Sequence, residues 1–266
     1  VKSLDPAFLP EAAYWSLMEE HASLLGAPPG HLPGFSWTGP PAAWGASCHR
    51  IDLRLGAEQA MGALAAKMRA LDCTALTGPA ACGGEAGQAL TEGRLAAAGF
   101  SFVRQAAGMV LDPRNLGPAP LPPGYAMEEA STPAALEEWA GVVSRNLFHN
   151  ADAGYAAAFA SSAGLMREAG FLDIFLCRDE EGLPVSASSA YADRDGLGGV
   201  YFVATEAASR RRGLGAALTR AAAERCAGRG IAIVALHATE EGRPVYESLG
   251  FQSVSTLRRY SAPPSA

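Results

Sequence analysis

The stretch that decides the fold is Val200-Tyr201-Phe202-Val203-Ala204-Thr205-Glu206-Ala207-Ala208-Ser209-Arg210-Arg211-Arg212-Gly213-Leu214-Gly215-Ala216-Ala217-Leu218. Its first six residues are β-rich and read as a strand. A loop follows, ends in Arg-x-x-Gly-x-Gly, and passes at once into an amphipathic helix with Leu214, Leu218 and Ala221 on one face. The first turn of a helix has amides without intrahelical partners, and its dipole favours anions. Glycine at 213 and 215 removes the Cβ atoms that would obstruct a phosphate, and three arginines add charge beside it. The stretch from Arg210 to Ala216 is therefore expected to cradle a pyrophosphate. A dinucleotide-binding fingerprint does not fit, because its third glycine would fall on Leu218.

Outward from this stretch the pattern continues on both sides. Upstream, Thr132 to Phe148 and Tyr155 to Ala169 read as helices, the first opened by Thr132 with Pro133 in its first turn. Phe171 to Arg178, Pro184 to Ala192 and Gly199 to Thr205 read as strands. Downstream come the helix Leu214 to Cys226, a strand from Ile231 to Ala238, a short helix from Pro244 to Leu249 and a last strand.

Pro113, Pro118, Pro120, Pro122 and Pro123 crowd the segment before Tyr125. Proline withholds amide donors and restricts its predecessor, so a domain boundary is expected there. The expected division is 1–116, a connector at 117–124, and 125–266. In the first half, helices are expected over Pro10 to Leu25, Ala57 to Leu71 and Glu85 to Ala98. Strands are expected at His49 to Leu55 and Ala75 to Thr77, with irregular chain from Ala27 to Ala46. One internal echo joins the halves. Leu95 to Val103 and Glu247 to Val254 both run from a helix through Gly-Phe into a strand.

The chain has 266 residues, 49% hydrophobic and 18% charged, with a formal net charge of −6. Such a chain can bury a core. Its only basic tract is the arginine triplet, which argues against a nucleic-acid or anionic-membrane surface. No apolar run approaches a bilayer span, and Val1 to Pro6 has no secretory h-region, so a cytoplasmic protein is expected. Cys48, Cys73, Cys82, Cys177 and Cys226 are odd in number and lack metal spacing. They are read as buried or half-buried thiols, and no metal is expected.

Arg210-x-x-Gly213-x-Gly215 resembles motif A of the GNAT superfamily of N-acetyltransferases. The later run from Ile231 to Thr239, followed by Tyr246-x-x-x-Gly250-Phe251, resembles the next strand and motif B. The resemblance covers Tyr125 to Tyr260 and implies an α/β (α+β) fold. That fold has a mixed, mostly antiparallel sheet flanked by helices, beside a smaller α/β N-terminal domain. It implies acetyl-CoA as cosubstrate and an amine of a small molecule or peptide as acceptor. Carried over, Val203, Ala204 and Thr205 would meet the pantetheine arm. Arg210, Arg211, Arg212, Gly213, Leu214, Gly215 and Ala216 would hold the pyrophosphate. Tyr246 matches the family tyrosine that protonates the leaving thiolate. Thr239 stands where the family often has asparagine.

Members with a glutamate early in the strand before motif A use it as base. Here Leu197 to Val200 has no carboxylate, and Glu206 is the substitute candidate. The missing glutamate and asparagine also suit a second reading, a non-catalytic CoA or acyl-CoA binder on the same fold. His237, Phe148, His149, Asn150 and Asp152 are further substrate-site candidates. The first half lacks the Arg-x-x-Gly-x-Gly motif and reads as a degenerate acetyltransferase half without CoA.

Overall fold

The computed structural model describes residues 5–26, 29–33, 35–38, 47–53 and 57–264, without the side chains of 47 and 57–59. The N-terminal half contains α1 (Leu9–Leu24), β1 (Gly30–Leu32), β2 (Phe35–Thr38), β3 (Ser47–His49) and α2 (Ala57–Leu71). β4 (Thr74–Thr77), α3 (Pro79–Cys82), α4 (Glu85–Ala97) and β5 (Ser101–Leu111) complete it. The C-terminal half contains β6 (Ala126–Glu129), α5 (Pro133–Leu147), α6 (Ala153–Glu168), β7 (Leu172–Arg178), β8 (Pro184–Ala192) and β9 (Gly198–Thr205). It continues with α7 (Leu214–Gly228), β10 (Val234–Ala238), α8 (Arg243–Ser248) and β11 (Gln252–Ser261).

Two compact units form, one from Met109–Gln252 and the other from Lys2–Gly108 with Ser253–Ala266. The division thus falls inside β5 and at the start of β11, away from the proline-rich stretch where composition placed it. That stretch is docked rather than free. Gly117 N donates to Leu249 O at 2.9 Å, and Arg220 donates to Gly117 O at 2.8 Å. Leu121 and Tyr125 pack on the cluster of Cys177, Val185, Leu214 and Leu218. A proline-rich segment has little conformational freedom to lose, so it can lie along a domain surface without regular structure.

In the Met109–Gln252 unit, β10, β9, β8, β7 and β6 lie side by side in that order. β10 and β9 are parallel, and the other pairs are antiparallel. Helices α5 and α7 both pack on β8 and β9. The Thr132 hydroxyl accepts from Ala135 N at 3.2 Å and starts α5. Trp139 of α5 is fully buried and its indole donates to Ser188 O at 3.1 Å. Strand β10 begins at Val234, not at Ile231 as expected. Gly230 takes a left-handed turn (φ 85°), and Ile231 N bonds back to Cys226 O, closing the end of α7.

The other unit orders β1, β2, β3, β4 and β11 side by side, with β3 and β4 parallel and the rest antiparallel. The hairpin β1–β2 lies in a stretch expected to be irregular. Its basis is a cross-strand pair, Gly30 opposite Trp37. A Cβ at Gly30 would fall 2.2 Å from the Trp37 ring, so the glycine serves as the floor for the indole. β3 stops at His49 because Arg50 is left-handed (φ 51°) and its guanidinium pairs with Glu19. Leu55, the end of the strand expected there, lies outside the described residues. The Met109–Gln252 unit shows the mixed, mostly antiparallel sheet flanked by helices that was expected, and the other unit is α/β as expected.

The N-terminal unit buries Glu11 completely. Its Oε2 accepts from Ala80 N at 2.8 Å. Burial, opposed by backbone bonds from Ala80 and Ala81 and by Arg50, pushes this carboxyl up to about 7 from an ordinary 4.5. A raised folded-state value means stability that is complete below pH 4.5 and is lost as pH rises through 7. Burial holds His21 and His49 down to about 4 and 3, with the opposite slope below 6.5. Comparing Glu11→Gln with the parent chain removes the histidine contribution. The variant should be the more stable by up to about 3 kcal/mol at pH 8, with the gap closing towards pH 4. Denaturant melts across that range check it, and parallel pH profiles would show that folding leaves the carboxyl's proton affinity unchanged.

Candidate active site

Strand β9 carries the first element of the site. Its register against β8 slips between Ala187↔Ala204 and Ser189↔Tyr201, so β9 holds one extra residue. At that bulge Phe202 is left-handed, with φ 56°. Such a conformation costs on the order of 1–3 kcal/mol in a non-glycine residue. Ring packing holds it there. Phe202 stands edge-on to Trp139 at 5.6 Å and to Phe159 at 5.3 Å, with Phe148 at 6.4 Å. A bulge turns backbone groups out of the ladder, where they can face a ligand.

The second element is a gap in the sheet. β9 and β10 are registered only at Gly199↔Ala235, near the start of β9. A Cβ at Gly199 would fall 2.4 Å from Ala235 O, so glycine permits the approach at that point. No further register pair follows, and Val203, Ala204 and Thr205 have no register partner on β10, which ends at Ala238. Val203 is half-buried and Ala204 buried. The Thr205 hydroxyl is 2.8 Å from Ser186 Oγ, which fixes its side chain towards β8.

The third element is the start of α7. Gly213 is its N-cap at φ 86°, with no side-chain capping bond. The first-turn amides at Leu214, Gly215 and Ala216 thus keep their donors available to a ligand. A Cβ at Gly213 would meet only Pro122, at 3.7 Å, and one at Gly215 would meet Thr205 and Val203 at 3.9 Å. This is open space at a helix N-terminus, which suits a pyrophosphate.

The arginines divide their work. Arg210 donates to Thr205 O at 3.0 Å and to Asn146 at 3.1 Å, tying the loop to β9 and α5. Arg212 donates to the Tyr125 hydroxyl at 3.0 Å. Arg211 is exposed, with φ 59°. Glu206 is held by Arg145, whose Nε and terminal nitrogen reach one carboxylate oxygen at 3.0 and 2.7 Å.

Tyr246 stands on α8, which packs against α7. It is half-buried, its ring edge-on to Phe251 at 6.1 Å, and burial pushes its phenol up to about 12. The Thr239 hydroxyl accepts from Gly242 N at 3.1 Å and so helps to start α8. His237 lies half-buried on β10, edge-on to Tyr201 at 6.5 Å.

Asn150 and Asp152 organise the α5–α6 turn. Asn150 Oδ1 accepts from Asp152 N, and Asp152 Oδ1 caps α6 through Tyr155 N at 2.7 Å. With Glu137, Ser144 and Arg145 they line an open cleft of about 250 Å³. His149 is left-handed and exposed, and Phe148 joins the aromatic group beneath Phe202. The bulge at Phe202 has no counterpart in the sequence reading, whereas a splayed strand edge at Val203 and Thr205 is what the family resemblance implies. The two adjacent glycines at 198 and 199 were the available sign of a close strand approach.

Among known proteins, residues 173–261 match the acetyltransferase (GNAT) domain model, from β7 to the end of β11. No curated protein matches the chain at a significant level. Similar solved structures include a GCN5-related N-acetyltransferase from Kribbella flavida. It is 18% identical over 96% of this chain and 96% of that one, with a TM-score of 0.71. A GCN5-related N-acetyltransferase from Sphaerobacter thermophilus is 15% identical over 99% and 95%, with a TM-score of 0.61. A tandem GNAT protein from the clavulanic acid biosynthesis pathway is 19% identical over 87% and 79%, with a TM-score of 0.59. Residues 173–261 therefore match the acetyltransferase (GNAT) domain model, and the chain shares the fold of these GCN5-related structures.

Proposed function

We propose that the chain moves an acetyl group from acetyl-CoA to an amine of a small molecule or peptide by direct attack on the thioester. One observation carries this reading. The end of β9, unpaired with β10, leads through a short loop into a helix whose N-terminus has no side-chain cap and is flanked by glycine. In this reading Val203, Ala204 and Thr205 border the pantetheine arm. The amides from Arg211 to Ala216 hold the pyrophosphate, with Arg210 and Arg212 positioning the loop. Backbone groups turned out by the Phe202 bulge polarise the acetyl carbonyl. Tyr246 supplies a proton to the departing thiolate. Thr239 serves the site by starting α8.

Glu206 is engaged by Arg145 through one carboxylate oxygen. It acts as base only if the acceptor takes the place of Arg145. That pairing also favours the second reading, a CoA-binding protein without turnover.

The N-terminal unit is proposed to bind no CoA. It lacks the Arg-x-x-Gly-x-Gly loop that opens α7 in the other unit. Calorimetry on the full chain should therefore give one acetyl-CoA per chain. Thiol release across a panel of amines should show turnover with at least one of them. Two sites per chain would overturn the assignment of the N-terminal unit. Binding without thiol release on any amine would favour the non-catalytic reading.

A further inference from the structure

The five thiols are not equivalent. Cys82, Cys177 and Cys226 are buried, each with its sulfur against a backbone carbonyl. Cys48 is the middle residue of β3, and Cys73 directly precedes β4. Their Sγ atoms lie 3.9 Å apart. A disulfide needs about 2.05 Å, so the sulfurs must approach by roughly 2 Å; Cys48 is registered with Ala75, two residues past Cys73, so closure draws on a backbone adjustment as well as on side-chain rotation. Cys48 is fully buried and Cys73 half-buried, so one sulfur is reachable and its partner lies behind it.

We propose that Cys48 and Cys73 form a dithiol site for peroxide-class oxidants, which convert it to a disulfide that staples β3 to β4. The electrostatics support this order of events. The hydrogen bond from Cys48 and, more weakly, the Arg259 guanidinium hold the Cys73 thiol below its usual range. Arg259 is fixed at the start of β4 by bonds to Thr74 and Tyr14. The same thiol–thiol bond, with burial, pushes Cys48 up. The thiolate is the nucleophile, so Cys73 reacts first.

Cys73 sulfur attacks a peroxide oxygen, the O–O bond breaks, and one water leaves after protonation. Cys48 sulfur then attacks the sulfenic sulfur. The S–O bond breaks, and the departing hydroxide takes the Cys48 proton as a second water. Two thiols are oxidised by two electrons, and one peroxide is reduced.

The test uses the reduced full chain, treated with hydrogen peroxide and then alkylated under denaturing conditions. The five alkylatable thiols should fall to three, with a Cys48–Cys73 cross-linked peptide by mass spectrometry, and dithiothreitol should restore all five. Cys73→Ser, at the half-exposed position, should leave every remaining thiol alkylatable. Cys48→Ser should leave Cys73 to proceed to sulfinic acid. Five thiols surviving peroxide, sulfinic acid on Cys73 of the parent chain, or cross-links spread over other pairs would each overturn the proposal.

Discussion

Gly213→Asp should abolish acetyl-CoA binding while leaving the chain folded. Gly213 is left-handed, and a side chain there costs about 1–2 kcal/mol in backbone strain. A carboxylate at a helix N-terminus returns about 0.3–1 kcal/mol through the dipole, so the net change in stability is small. The same carboxylate occupies the phosphate space with like charge. An affinity loss of at least about 100-fold, ~2.7 kcal/mol, is expected by calorimetry. Gly215→Ala is the companion measurement. Its methyl would stand 3.9 Å from Thr205 and Val203, an ordinary packing distance. Any loss of affinity there reports phosphate space and not damaged packing. Wild-type affinity in Gly213→Asp would move the pyrophosphate away from α7.

Tyr246→Phe should lower kcat by about 10²-fold, the low end for general acid help, with acetyl-CoA affinity nearly unchanged. With its phenol pushed up to about 12, Tyr246 keeps its proton at any practical assay pH. A thiolate is already a good leaving group, with a parent thiol near 8.5, which is why the low end is expected. Phenylalanine retains the edge contact with Phe251, so α8 should keep its packing. An equal loss in affinity would mark the hydroxyl as a binding group. Wild-type kcat, where chemistry limits the rate, would remove it from the mechanism.

The helix–strand order of the C-terminal half was legible because its signals are local. Thr132 caps α5, Gly213 and Gly215 open α7, and Gly250-Phe251 turns α8 into β11. The echo at Gly99-Phe100 is likewise a left-handed glycine after a helix, leading into β5. What escaped depends on pairing across the chain. The Phe202 bulge exists only relative to β8 and to the ring packing of Trp139 and Phe159. The β1–β2 hairpin rests on Gly30 opposite Trp37, in a stretch whose glycines and prolines suggest loop. The Arg145–Glu206 pair joins residues that lie 61 positions apart, beyond any local pattern. Composition marked Pro113 to Pro123 as a boundary, but Leu121 and Tyr125 lie on an apolar surface that composition does not reveal.

The placement of β11 bears on how the chain comes to be folded. Tyr260 pairs with Ala75, and its ring enters the cluster of Phe35, Leu64, Met68 and Leu95. The N-terminal unit therefore waits for β11, about 150 residues after the rest of it, to leave the ribosome before its sheet and core are complete. During synthesis β4 is an unfilled edge, open to strands of other nascent chains. Contacts of such long sequence separation slow the search for the native state. A nonsense change anywhere before Gln252 would leave the first half, though fully translated, as an unfinished sheet.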